Sequence, residues 1–292
     1  MRNTIYNVIG LGERVRTEGS YGIEIEAEGH NLPSGDNPND SKLLKTWRIE
    51  RDPSLKSGLE AHEYVLRKPT SLEGCKAALD ALSESYDYHK SKVVETETSG
   101  VHVHMNVQEY TPKELFTLMT TYLVLEELLL TYCGEYREGN HFCLRARDAE
   151  GLVYELSQAA LKRNLGGLNK EILRYGSLNV FSLFKYGSIE FRAMRGTGDL
   201  DAIYEWVEIL DALKNGAKQF KTPYDVILSM SEHGEKNFLT TILGPKAKVY
   251  IKIKNYEQLI RNGAQLIQSL AFLPDWKAWK DVLVNPFPKG QR

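Results

Sequence analysis

Cysteine is scarce in this chain of 292 residues: three occur, Cys75, Cys133 and Cys143, an odd number without a Cys-x-x-Cys pair. That argues against a disulfide scaffold and predicts reduced thiols, as in a cytoplasm. Charge of one sign is also lacking, since 37 Lys and Arg stand against 39 Asp and Glu for a net charge of -2. With no basic run and no basic-aromatic repeat, a general affinity for nucleic acid is unsupported. Met1 to Gly12 has neither a basic start nor a sustained apolar run, so no signal peptide is expected. The longest apolar region, Leu115 to Leu130, is interrupted by Glu126 and Glu127. It falls short of the roughly 20 apolar residues that span a bilayer and reads as a buried helix, with no membrane partner. No internal repeat of fixed period occurs.

Familiar nucleotide and zinc signatures are missing too. There is no Walker lysine motif, and Gly10-Leu-Gly12 begins a Gly-x-Gly-x-x-Gly that is not completed. His62-Glu63 does not continue to His-Glu-x-x-His, because Leu66 stands in the last place. A zinc protease is therefore unsupported, and any ATP site must belong to another fold. Composition itself is ordinary for a globular protein, at 42% hydrophobic and 26% charged residues.

What is present is a repeated strand pattern. In Ser99 to Val107, Val101, Val103, Met105 and Val107 take one side of an extended chain, and His102, His104 and Asn106 take the other. In Tyr21 to Glu28, Ile23, Ile25 and Ala27 oppose Glu24, Glu26 and Glu28. In Gly187 to Ala193, Ile189, Phe191 and Ala193 oppose Ser188, Glu190 and Arg192. If one sheet presents these faces together, carboxylates, imidazoles and a guanidinium converge on one surface.

Between these strands the chain alternates helices and loops. Gly29 to Asp40 is an exposed loop by composition, Trp47 to Arg51 is extended, and a turn at Asp52-Pro53 leads to a strand carrying Glu60, His62 and Tyr64 on one side. Ser71 caps a helix reaching about His89, and Thr111-Pro-Lys-Glu114 starts another reaching about Cys133. Leu152 to Leu165 reads as a helix stopped by Gly166 and Gly167, and Ser177 to Lys185 pairs with Ser188 to Ala193 through a hairpin at Tyr186-Gly187. Helices follow from Asp199 and Thr222, Asn255 caps one reaching Phe272, and Asn285 to Arg292 frays. The pattern predicts an α+β fold, a largely antiparallel sheet with helices on one face and chemistry on the other. Residues 1–220 are expected to form the catalytic domain, with 221–292 a mostly helical extension packed on it.

Glu24 and Glu26, two residues apart on a strand, place carboxylates about 7 Å apart on one face. Acidic strand faces also serve solubility, and Glu190 with Arg192 also fits an ordinary cross-strand ion pair. Together, however, facing carboxylates call for cations, and hard oxygen ligands with an imidazole suit Mg²⁺ or Mn²⁺. An arginine beside such ions suits a phosphate.

The ordered set Tyr21-Gly-Ile-Glu-Ile-Glu26, Asp52-Pro-Ser-Leu with Gly58-Leu-Glu60, Gly100-Val-His-Val-His-Met-Asn106, and Ile189-Glu-Phe-Arg192 followed by Arg195-Gly-Thr197 resembles the amidoligase family of carboxylate-amine ligases. This family is related to glutamine synthetase and glutamate-cysteine ligase. The resemblance spans about Tyr21 to Trp206. It implies a curved antiparallel sheet and ATP-dependent amide or isopeptide formation through an acyl phosphate, with ADP and phosphate released. It further implies Glu24, Glu26, Glu60, His102 and Glu190 as metal ligands and His104 at nucleotide or substrate. Arg192 and Arg195 would hold the transferring phosphoryl group. Asn179, Lys185 and the Lys162 to Lys170 loop are expected along the cleft. Pro53 departs from the small residue usual in the family, and a counterpart of the amino-terminal domain of glutamine synthetase is not expected.

Two alternatives remain open at this point: a divalent-metal hydrolase, and a catalytically silent binding protein of the same fold. Expected partners are small-molecule or peptide carboxylates and amines, or an amine or acid on a larger polymer. The loops Gly29 to Asp40 and Gly134 to Arg147 would set specificity.

Overall fold

Strict alternation in Tyr21–His30 (β1) buries Ile23, Ile25 and Ala27 on one side of the chain, and this strand lies at the centre of the architecture. The computed structural model describes residues 3–273 and 276, except 53, 54, 56, 57, 135, 136, 138 and 150. The turn at Pro53 and the tail from Asn285 lie outside the described residues. The other strands are Trp47–Glu50 (β2), Glu60–Leu66 (β3), Lys92–Val94 (β4), Gly100–Asn106 (β5), Leu178–Asn179 (β6) and Ser188–Arg195 (β7). They form one antiparallel sheet in the order β2-β3-β1-β5-β7-β6, with β4 paired to the end of β1. The fold is α+β, with a single open antiparallel sheet.

Register brings the three charged strands side by side. Glu24 pairs with His102 across β1 and β5, and His104 pairs with Glu190 across β5 and β7. Directly opposed residues project to the same face, so the polar sides of the three strands form one surface. A β-bulge interrupts the second ladder. Val103 faces Phe191 and Val101 faces Met194, so Arg192 and Ala193 together oppose the single residue His102. The bulge lets Ala193 and Met194, consecutive in sequence, both be buried.

Helices cover the apolar face. Leu72–His89 (α1) packs on β1, and its N-cap Ser71 accepts a hydrogen bond from the Gly74 amide. Pro112–Cys133 (α2) packs on β7, where Tyr122 meets Phe191 edge to face at 4.9 Å between ring centroids. Thr111 and Glu114 close the expected capping box. By length and composition α2 could cross a membrane, yet it is largely buried within the protein. Leu200–Ala217 (α4) and Pro223–Leu243 (α5) begin at Asp199 and Thr222, each side chain accepting a capping amide. Leu152–Leu161 (α3) lies before them in the chain and Tyr256–Leu266 (α6) after, the latter against α2.

Three local expectations change. Ser177 to Lys185 is not one extended run: β6 holds two residues, and Ser182–Tyr186 is a helical turn ended by Gly187 at φ 66°, so β6 and β7 pair without a tight hairpin. Ser182 causes this locally, its hydroxyl donating to the Asn179 and Ser188 carbonyls and folding the connection onto itself. Helix α3 ends at Leu161, and Gly166 and Gly167 lie in a separate 3₁₀ turn. Asn255 precedes α6 without a side-chain capping bond.

Candidate functional site

The cleft face centres on Glu24, His102 and Glu190, each offering one ligand atom within 4.8 Å of the others. His102 Nδ1 lies 3.5 Å from Glu24 Oε2 and 3.6 Å from Glu190 Oε1. Its Nε2 lies 3.8 Å from Glu26 Oε1. His104 joins from the next cleft-facing position of β5, with Nε2 3.4 Å from Glu24 Oε1 and 3.8 Å from Glu190 Oε2, and Nδ1 3.0 Å from Ser188 Oγ. That Nε2 is buried and makes no hydrogen bond of good geometry. An orphaned imidazole nitrogen among carboxylate oxygens is what a divalent cation would satisfy. The mixed hard-oxygen and imidazole set fits Mg²⁺ or Mn²⁺.

Electrostatics are tightly balanced. Burial would raise Glu24, but bonds and charge from His102 and His104 hold its carboxyl well below the usual range. Burial likewise opposes ionisation of Glu190, and the positive charges of His104, Arg192 and His102 pull it down. His104 is raised because Glu190 and Glu24 outweigh its burial. Glu26, buried with less compensation, is raised.

Arg192 sits within this cluster. Its Nη1 donates to Glu190 Oε1 at 2.5 Å and approaches His102 Nδ1 at 3.5 Å, while Nε donates to the Phe142 carbonyl. Asn179 acts on Glu190 directly, its Nδ2 donating to Oε2 at 2.6 Å. Lys185 lies at the rim with its ammonium 4.6 Å from the centroid of the Tyr186 ring.

Two expected members stand elsewhere. Glu60 faces Gly29 at the far end of β1, and its carboxylate accepts from the Leu32 amide at 2.9 Å. It shares strand parity with Tyr64, which is fully buried on the helix side. Parity instead gives the cleft to Glu63, opposite Glu26, where burial and the charges of Glu24, Glu26 and Asp52 push its carboxyl up to about 7. Arg195 donates to Glu95 Oε1 and the Tyr132 carbonyl, outside the cluster. Lys170, from the predicted loop, pairs with Glu155.

One contributor had no motif to announce it. Arg137 is 2% exposed and donates to the carbonyls of Arg192 at 2.6 Å, Ser99 at 3.1 Å and Ala193 at 3.3 Å. It thereby clips the bulge that aims Arg192. A Cβ at Gly100 would lie 3.0 Å from the Arg137 guanidinium, which would have to give by a few tenths of an ångström to admit any larger residue there.

Residues 20–214 match the family model described as "Putative amidoligase enzyme". The chain belongs to the amidoligase family. No curated protein matches it. The amidoligase match spans β1 through β7 and most of α4, so all strands that build the cluster lie within it, whereas α5 and α6 lie beyond it. As an amidoligase the protein is an enzyme of the amide-forming ligase class.

Behind the amidoligase cleft, a second buried carboxylate links α2 to the β6 approach. Glu126 accepts from Ser177 Oγ and from the Ala146 amide at 2.8 Å, and Ser177 also meets Tyr122 Oη at 3.1 Å. Burial dominates here and pushes the Glu126 carboxyl up to about 7.

Proposed function

We propose that this amidoligase is an ATP-dependent carboxylate-amine ligase working through an acyl phosphate. The observation that carries the reading is the convergence of Glu24, His102, Glu190 and Arg192 on one face of the sheet. Glu24, His102 and Glu190 would hold a divalent ion, with His104 and Glu26 beside them. Such an ion supplies charge neutralisation for the triphosphate.

The chain's own residues do the rest. Arg192, fixed by Glu190 and Phe142, presents a guanidinium to the phosphoryl group as charge redistributes over its oxygens. An oxygen of the acid bonds to the γ-phosphorus, and the bond to ADP breaks with its electrons leaving on ADP. The amine nitrogen then bonds to the acyl carbon, and phosphate leaves with the electron pair of the broken carbon–oxygen bond. The proton lost by the amine has carboxylate acceptors nearby in Glu26 and Glu63. Asn179, through Glu190, keeps the carboxylate turned toward the cluster.

The test is ADP release measured with pooled acids and amines, alone and together, alongside mass spectrometry of products. ADP and amide forming only when both partners and ATP are present is the expected result. Product formed without ATP would replace the ligase mechanism with hydrolysis.

A further inference from the structure

From the cluster the cleft opens into a lobe of about 640 Å³. Glu24 and His104 close its inner end, and Gly22, opposite His104 on the cleft face, leaves the floor free of side chain. The outer walls carry five cations, Arg14, Arg16, Arg48, Arg67 and Lys68. Three are partly committed. Arg16 lies 3.9 Å from Glu13, Arg48 bonds Glu50 at 3.1 Å, and Arg67 donates to the Leu44 and Trp47 carbonyls. Arg14 and Lys68 make no ion pair with any described residue.

The cleft is thus polarised along the strands. On the other side of the cluster lie Glu26 and Glu63, with the charge of Asp52 close by. A second anion on a bound reactant would be repelled there and drawn toward Arg14 and Lys68.

Resting on the carboxylate-amine ligase reading, we propose that the acid this enzyme activates carries a second anionic group, held in the lobe by Arg14 and Lys68. A dicarboxylate of short chain has this form, one carboxyl at the cluster and the other among the cations. The nucleotide is the poorer occupant, because a purine needs a free apolar face. Tyr186, the aromatic side chain lining the lobe, has Lys185 over its ring and the edge of His104 packed against it at 5.6 Å between centroids. Arg14 and Lys68 are therefore specificity-determining residues for the acid.

Calorimetry in magnesium buffer, without ATP, tests this on the full chain with glutarate and butyrate as matched probes. Glutarate is expected to bind about tenfold tighter than butyrate. The double variant Arg14→Gln/Lys68→Gln, changed at two exposed positions, should lose that preference and keep its melting temperature and its affinity for a non-hydrolysable ATP analogue. Equal binding of the two acids overturns the proposal. A variant that loses the ATP analogue while keeping the glutarate preference overturns it as well and hands the lobe to the nucleotide phosphates. Selective glutarate binding in a protein that never releases ADP would instead sink the ligase reading and leave the lobe assignment standing.

Discussion

The two faces of the sheet obey opposite rules. On the helix side, Val103, Phe191 and Ile25 are fully buried and interchangeable in kind, because apolar burial is non-directional and needs only volume. On the cleft side each group depends on a named partner: Glu190 on Asn179 and Arg192, His104 on Ser188, and Arg192 on the carbonyl of Phe142. The same three strands supply both. The helix face therefore fixes where the strands lie, and the cleft face uses that placement to hold like charges close together.

The contrast can be broken experimentally, and the largest effect is expected on the apolar side. Phe191→Ala, removing a fully buried ring against Tyr122, should cost about 3–5 kcal/mol in urea unfolding. Arg192→Lys should do the reverse, reducing ADP release roughly 100-fold or more while a cation stays beside Glu190 and the melting temperature changes little. Full activity in that variant would remove the guanidinium from the phosphoryl step.

Glu126 probes the boundary between the two regimes, a carboxyl buried among helix residues. The folded state holds its proton more tightly than the unfolded chain, so its stabilising contribution is whole below about 4.5 and is lost as pH rises through about 7. Glu126→Gln should flatten that slope, by about 3 kcal/mol at most, in melting curves between those values. A wild-type curve already flat there would show the carboxyl to be ionised at little cost.

The smallest contrast is the most discriminating, since Glu63 and Glu60 lie on the same strand but on opposite sides. Glu63→Gln should weaken Mn²⁺ binding about tenfold, and Glu60→Gln by less than about twofold. The reverse order in a metal titration would invert the assignment of faces.

Much of the site was readable as strand parity. The polar sides of β1, β5 and β7 follow from alternation, capping chemistry located the starts of α1 and α2, and amphipathic spacing placed α4 from Asp199. At β3 parity grouped Glu60, His62 and Tyr64 on one side, as the register has them, and only the motif resemblance drew Glu60 toward the cleft: Tyr64 is the large aromatic that belongs in the core, which sends its neighbour Glu63 to the cleft. The bulge left a weaker mark, two apolar residues in succession at Ala193 and Met194. Arg137 could not be found this way. Its acceptors are backbone carbonyls far away in the chain, and carbonyls leave no trace in residue identity.

The bulge also sets how the chain can change in length. Deleting Ala193 would restore a regular ladder and leave Phe191, Arg192, Met194 and Arg195 opposite the same partners, so by alternation alone the loss looks harmless. It would, however, remove one acceptor of the Arg137 guanidinium and straighten the path that presents the other two. A buried cation without its carbonyls is costly enough to make this strand intolerant of shortening, although every pairing that a regular ladder requires would survive. Insertions and deletions surveyed along the chain should find the surface loops permissive and this position closed.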